Sequence, residues 1–107
     1  MILTMCMESK KKYSYVIKPL AVRKIRSFYN NVFHKYHNVY SYGDMLSLID
    51  KTIAGIYSIE TDSLRRKPIL QRWSNYHMAH VGIWYYAYSV GEDVITIHDA
   101  CHNLNMK

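Results

Sequence analysis

The sequence predicts an α+β domain in which a two-helix antiparallel hairpin packs on one face of a small, mainly antiparallel sheet, in the order β-α-α-β-β-β. Three observations predict it. Apolar residues recur at helical spacing through two consecutive segments of the N-terminal half. The C-terminal half turns to β-branched and aromatic runs broken by glycine. The length, 107 residues, is enough for one core but not two.

Taken in order, "YSYVI" from Tyr13 is a strand candidate that stops at Lys18 and Pro19, and the proline suits the first turn of a following helix. In "PLAVRKIRSFYNNVFHKY" the residues Ala21, Ile25, Phe28, Val32 and Tyr36 form an apolar stripe, while Arg23, Lys24, Arg26, Asn30 and His34 fall toward the other side. This describes an amphipathic helix with a basic outer face. A break at "HNVYSYGD" follows, where Ser41 and Asp44 make a capping box with a shortened acid and open a second helix. Its inner stripe is Met45, Ile49, Thr52, Ile56 and Ile59, and Gly55 is a weak point within it. A turn this short makes the two helices antiparallel neighbours.

"TDSLRRKP" reads as a loop with three adjacent cations. Beyond Pro68, strands are expected at "ILQRW", at "MAHVGIWYYAYSV" and, past a tight turn at Gly91 and Glu92, at "DVITIHDAC". The helices cover one face of this sheet, and nothing in the sequence remains to cover the other. That open face is the expected place of function. Eleven tyrosines suit a sheet with one wet or ligand-facing side.

Half of the residues are apolar and about a fifth are charged, which is globular rather than disordered composition. Residues 1–12 are expected to form a disordered extension and residues 13–107 a single domain, with Met1, Met5 or Met7 as possible starts. "MILTMCM" is too short for a signal-peptide core, and its lysines follow rather than precede it. A cytoplasmic protein without a membrane span is therefore expected. Cys6 and Cys101 make no disulfide framework, which fits a reducing compartment. The net charge of +6 points either to a polyanionic or acidic partner or to a solvated basic surface.

The closing "HDACHNLNMK" gathers His98, Asp99, Cys101 and His102. The β-branched run Val94 to Ile97 makes the segment a strand, on which His98 and His102 lie roughly 13 Å apart. Zinc ligands converge to within about 2 to 2.3 Å of one ion, so these histidines do not share a metal. By strand alternation both point to one side, with Asp99 and Cys101 on the opposite side. His102 is read as a tail residue on the open face, His98 as a local packing partner and Cys101 as a small apolar residue. No Gly-rich phosphate loop, zinc-finger spacing or paired-carboxylate motif is present, and neither cofactor nor metal is expected.

Together, the order of elements, the loop "SLRRKPILQRW", the strand "HVGIWYYAYSV" and the closing "VITIHDACHNLNM" resemble the RelE/ParE superfamily of bacterial toxins over Tyr13 to Met106. The resemblance implies a helical hairpin on a curved sheet. It also implies a toxin of a type II toxin–antitoxin system, related to plasmid stabilisation proteins, that is neutralised when a partly disordered antitoxin segment wraps around it. Such toxins cleave mRNA on the ribosome or poison DNA gyrase, and the first activity is preferred here. A gyrase poison without nuclease activity and a non-toxic nucleic-acid-binding protein are the alternatives.

The stretch resembling Arg-Val-Gly-Asp-Tyr-Arg in the ribonuclease members reads His80, Val81, Gly82, Ile83, Trp84 and Tyr85 in this chain, so both arginine positions are changed. Attack by a ribose 2′-hydroxyl needs a base, an acid and cations for the developing phosphorane charge. On the resemblance, His102 is the candidate acid or base, Arg72 the charge stabiliser and Tyr85 an orienting or stacking group. Arg65, Arg66, Lys67 and His80 are the candidate phosphate contacts, though the three loop cations also read as a solvated loop. Tyr86, Tyr88 and Trp84 read as core filling between sheet and helices.

Overall fold

Lys18 is extended and Pro19 follows it as the first residue of α1 (Pro19–Lys35). This is the first of two helices in the computed structural model, which describes residues 13–59 and 70–105. The proline lacks only an N–H that a helix start leaves unpaired in any case. Ala21, Ile25 and Tyr29 face inward along α1, and Phe28 packs against the same core.

The second helix, α2 (Tyr42–Ile56), opens on the reciprocal pair expected from the sequence. Ser41 Oγ accepts from the Asp44 backbone N–H at 3.0 Å, and the Asp44 carboxylate accepts from the Ser41 N–H at 2.9 Å. Met45, Ile49 and Ile56 are buried, as is Ile59 just beyond the helix end. Phe33 near the end of α1 meets Tyr42 at the start of α2, and Tyr29, about one turn back along α1, meets Thr52, about three turns on along α2, so the helices run antiparallel.

The sheet has four strands in the order β1-β4-β3-β2: β1 (Ser14–Ile17), β2 (His77–Val81), β3 (Trp84–Val90) and β4 (Val94–His102). The β2–β3 and β3–β4 pairs are antiparallel, and β1 runs parallel to β4. The expected α+β class and the order β-α-α-β-β-β are therefore observed, in a mixed sheet.

The strand boundaries differ from expectation at two places. "ILQRW" is not a strand where it is described: Gln71–Trp73 is a 3-10 turn. In that geometry residues three apart lie on one side, and Leu70 and Trp73 both turn inward. "MAHVGIWYYAYSV" is two strands, since the chain reverses at Gly82 and Ile83. Gly82 has φ +63° and Ile83 does not share the positive φ, the pattern of a type II′ hairpin turn.

The second face of the sheet is covered, contrary to expectation. Leu70 and Trp73 pack on Met78, Ala87 and Cys101, with Tyr76 and Tyr85 alongside, and form a second small core. The main core lies on the helix side, where Trp84, Tyr86, Tyr88, Ile95, Ile97 and Ala100 meet α1 and α2. Tyr29 organises its polar centre. Trp84 Nε1 donates to the Tyr29 hydroxyl at 3.1 Å. Thr52 has one hydroxyl proton, which goes to the Leu48 carbonyl at 2.8 Å, so Tyr29 donates its own proton into Thr52 Oγ1 at 3.1 Å.

Candidate functional site

A single irregularity in β4 decides what its C-terminal end presents. Ala87 pairs with Asp99 while its neighbour Tyr88 pairs with Ile97, leaving His98 as an extra residue in a β-bulge. Before the bulge Ile95 and Ile97 face the helices; after it Ala100 and His102 do. One added residue reverses strand alternation, so His98 and His102 point to opposite faces rather than to one side. His98 stacks on Tyr76 (4.3 Å, 15°) and meets Ser89 Oγ at 2.7 Å on the outer face. Among the described residues no group of three or more metal-ligating side chains converges.

His102 is not a tail residue on an open face. It is only 6% exposed, its ring lying flat on Phe28 and edge-on to Trp84. The chain turns sharply at once after it (Asn103–Asn105), and the Leu104 backbone N–H donates to His102 Nδ1 at 3.2 Å. An accepting Nδ1 places the ring proton on Nε2. Burial lowers the His102 pKa from its ordinary value, so the ring is neutral at pH 7 and offers an Nε2–H donor.

Next to it, Asp99 carries a buried negative charge. Its carboxylate accepts from Trp73 Nε1 at 2.8 Å and from its neighbour's N–H at Ala100, also at 2.8 Å. Lys24 Nζ approaches it at 2.9 Å and Arg72 Nε at 3.5 Å. Burial alone raises this carboxyl, but the hydrogen bonds from Lys24, Trp73 and Ala100 and the Lys24 charge outweigh it, and the pKa lies below the usual carboxylate value. Cys101 beside it is a buried thiol whose pKa burial pushes up, and it packs as an apolar side chain.

His102, Cys101 and the two cations that reach Asp99 border a cavity of about 440 Å³ between α1 and the end of β4. One wall is a stripe of α1: Leu20, Arg23, Lys24, Ser27, Phe28 and Asn31. The floor is Trp84, Ala100, Cys101 and His102, and Arg72 and Asn105 complete the rim. Among the described residues no acidic side chain lines it, and the Asp99 carboxylate pairs with its lining residues Lys24 and Arg72. The arrangement can neutralise and hydrogen-bond an anion.

Of the residues expected to act together, Arg72 and His102 line this one cavity, and Tyr85 does not. Tyr85 faces the other side of the sheet, where it stacks on His80 across the β2–β3 hairpin with centroids 4.2 Å apart and rings nearly parallel at 2°. The two positions at which the resemblance expects arginine thus hold a stacked ring pair on the opposite face of the sheet from His102. Arg65, Arg66 and Lys67 lie outside the described residues.

Sequence reasoning missed Arg23, Lys24, Asp99 and the stacking partner Phe28. A signal existed for the wall, since residues 20, 23, 24, 27, 28 and 31 recur at helical spacing as a mixed basic and polar stripe beside the apolar one. Reading α1 as one apolar and one solvated side hid it.

Among the described residues no helix is long and apolar enough to cross a membrane. A comparison of the chain with protein-family models, with curated proteins and with solved structures finds no match.

Proposed function

We propose that the protein is the growth-inhibiting toxin of a type II toxin–antitoxin pair of the RelE/ParE kind, acting in the cytoplasm on ribosome-bound mRNA and held in check by a cognate antitoxin. The observation that carries the reading is the cavity that joins Arg72 and His102 to Arg23 and Lys24 with no acidic lining residue among those described. The element order β-α-α-β-β-β agrees with what the resemblance implies. In this reading the guanidinium and ammonium groups offset charge on an RNA phosphate, the main term in transferring a phosphodiester to its own 2′-hydroxyl.

His102 contributes as a neutral donor to a phosphate oxygen. Proton shuttling would require Nδ1 to release the Leu104 N–H, because an imidazolium carries a proton on both nitrogens. The same constraint, with His80 and Tyr85 standing where arginines are expected, favours a second reading in which the fold poisons DNA gyrase without cutting RNA.

Induced expression without the antitoxin should arrest growth, and primer extension should reveal message cut within translated codons. Trapped DNA breaks with intact message would transfer the assignment to gyrase. Unimpaired growth at good expression of folded protein would overturn both.

A further inference from the structure

Apolar residues of similar volume often serve stability as well as a buried ion pair does, so a buried carboxylate paired with two cations asks for a further role. Asp99 is such a case. It is 5% exposed, and two neutral donors already fix its carboxylate: Trp73 Nε1 and the Ala100 backbone N–H, each at 2.8 Å. Against that fixed group lie Lys24 Nζ at 2.9 Å and Arg72 Nε at 3.5 Å. Asp99 does not line the cavity between α1 and β4, whereas both cations do.

The contact decides which part of each cation is left over. An arginine met at Nε keeps the end of its fork, where both terminal nitrogens can donate side by side to two oxygens of one phosphate. A lysine ammonium has three N–H groups, and the two carboxylate oxygens take at most two of them. The Arg72 guanidinium also lies close enough to the Cys101 thiol, another lining residue, to pull its pKa down against the larger effect of burial. Donors from α1 and from the 3-10 turn thus reach one cavity.

Held in this way, the two cations are ordered before any ligand arrives. The side chain of Arg72 is 52% exposed and that of Lys24 37%, and long exposed side chains lose rotamer freedom when a ligand has to immobilise them. Arg23 on the same rim has no acidic partner among the described residues and lacks such an anchor.

We infer that Asp99 is a positioning residue for this cavity, aligning the Arg72 fork and the Lys24 ammonium on the non-bridging oxygens of one phosphodiester. The inference rests on the reading of the cavity as the place where an RNA phosphate is held, and it adds the residue that orders the cations without touching the RNA. The other role open to a carboxylate here is to offset excess positive charge. That role has the opposite consequence, since removing Asp99 would then strengthen the hold on a phosphate.

The test compares two uridine dinucleotides whose 2′-hydroxyls are methylated, so that neither can be cut. One is joined by the natural phosphodiester and the other by an uncharged methylphosphonate. Both are titrated against the full chain at one fixed ionic strength, and the ratio of their affinities is read. Each probe binds only folded protein, so partial unfolding of a variant changes both affinities alike and leaves the ratio unmoved. The parent should prefer the charged linkage by at least about tenfold, as one charge-assisted contact implies. Asp99→Asn should cut the ratio by about tenfold although it adds one uncompensated cation, because the ligand itself must then order two long side chains. Arg72→Lys keeps the charge on an exposed side chain but has no fork to align, and should also lose most of the preference.

A ratio that Asp99→Asn leaves unchanged or raises would overturn the proposal, and so would a full preference in Arg72→Lys. Either result keeps the cavity as a phosphate site and the RNA reading with it. A parent with no preference for the charged linkage would overturn the proposal together with the phosphate site on which it rests, while growth arrest with cut message would still uphold the toxin reading.

Discussion

The imidazole of His102 lies flat on the ring of Phe28, with centroids 4.0 Å apart and planes inclined by 14°. The contact ties the last residue of β4 to the middle of α1, so the candidate donor is also a structural link between sheet and helix. Stability and the proposed donor role therefore meet in one side chain.

His102→Ala should destabilise the fold instead of leaving it unchanged. Truncating a buried ring removes apolar burial and an aromatic pair contact, together roughly 2–3 kcal/mol. His102→Phe restores the ring area and should recover most of it. Urea unfolding of the two variants measures the difference, and an alanine variant as stable as the parent would mean that the stack carries no load.

Acid should weaken the protein in two stages. Burial holds His98 and His102 below their ordinary value of 6.5, so beneath that pH the unfolded chain takes up protons that the folded chain declines. Stability is full above about pH 6.5 and falls below it, by at most about 1.4 kcal/mol per pH unit for each histidine. Asp99, held below the usual carboxylate value, adds stability at neutral pH that disappears only as its folded-state proton returns at lower pH. Melting temperatures from neutral to acid pH check the order, and His102→Phe should flatten the first stage.

Both helices and the buried side of α2 were legible because each has a local cause. Pro19 starts α1, the Ser41 and Asp44 pair starts α2, and the spacing of Met45, Ile49 and Ile56 identifies the buried side. What stayed hidden depends on partners distant in sequence. The bulge at His98 is seen only against Ala87 and Tyr88 on β3, and without it the alternation of "VITIHDACH" places His102 on the wrong face. Gly82 with Ile83 is a usable hairpin signal, but apolar residues on both sides conceal it as one long strand. Asp99 resembles a turn-forming residue until Lys24, Trp73 and Arg72 are brought to it from two other elements.

Tyr29→Phe should cost roughly 1–3 kcal/mol although it removes one oxygen, because it leaves the buried Trp84 indole N–H without its acceptor and Thr52 without its donor. Thr52→Val should then cost less in that background than in the parent, since its bond to Tyr29 is already lost and only the one to the Leu48 carbonyl remains to be removed. Additive costs in that double-mutant cycle would show that the hydroxyl chain is not coupled. For scale, Ser41→Ala in the exposed capping box should cost about 1 kcal/mol.

Asp99→Asn separates the charge beneath the cavity from the shape that carries it. The amide keeps the size of the carboxylate and, through its oxygen, an acceptor for Trp73 Nε1, but it no longer attracts Lys24 and Arg72 and turns a donor toward one of them. Hydrogen bonds to a charged group contribute about 1.5–3 kcal/mol, and both cations reach solvent, so a loss near the lower end is expected at neutral pH. The loss should shrink as the pH is lowered through the Asp99 folded-state value, because the parent carboxyl is then protonated and the two proteins carry the same charge there. Urea unfolding of parent and variant at both ends of that range measures it. A difference that stays constant with pH would assign the effect to packing around Trp73, and the cations at the mouth of the cavity would then be held by something other than Asp99.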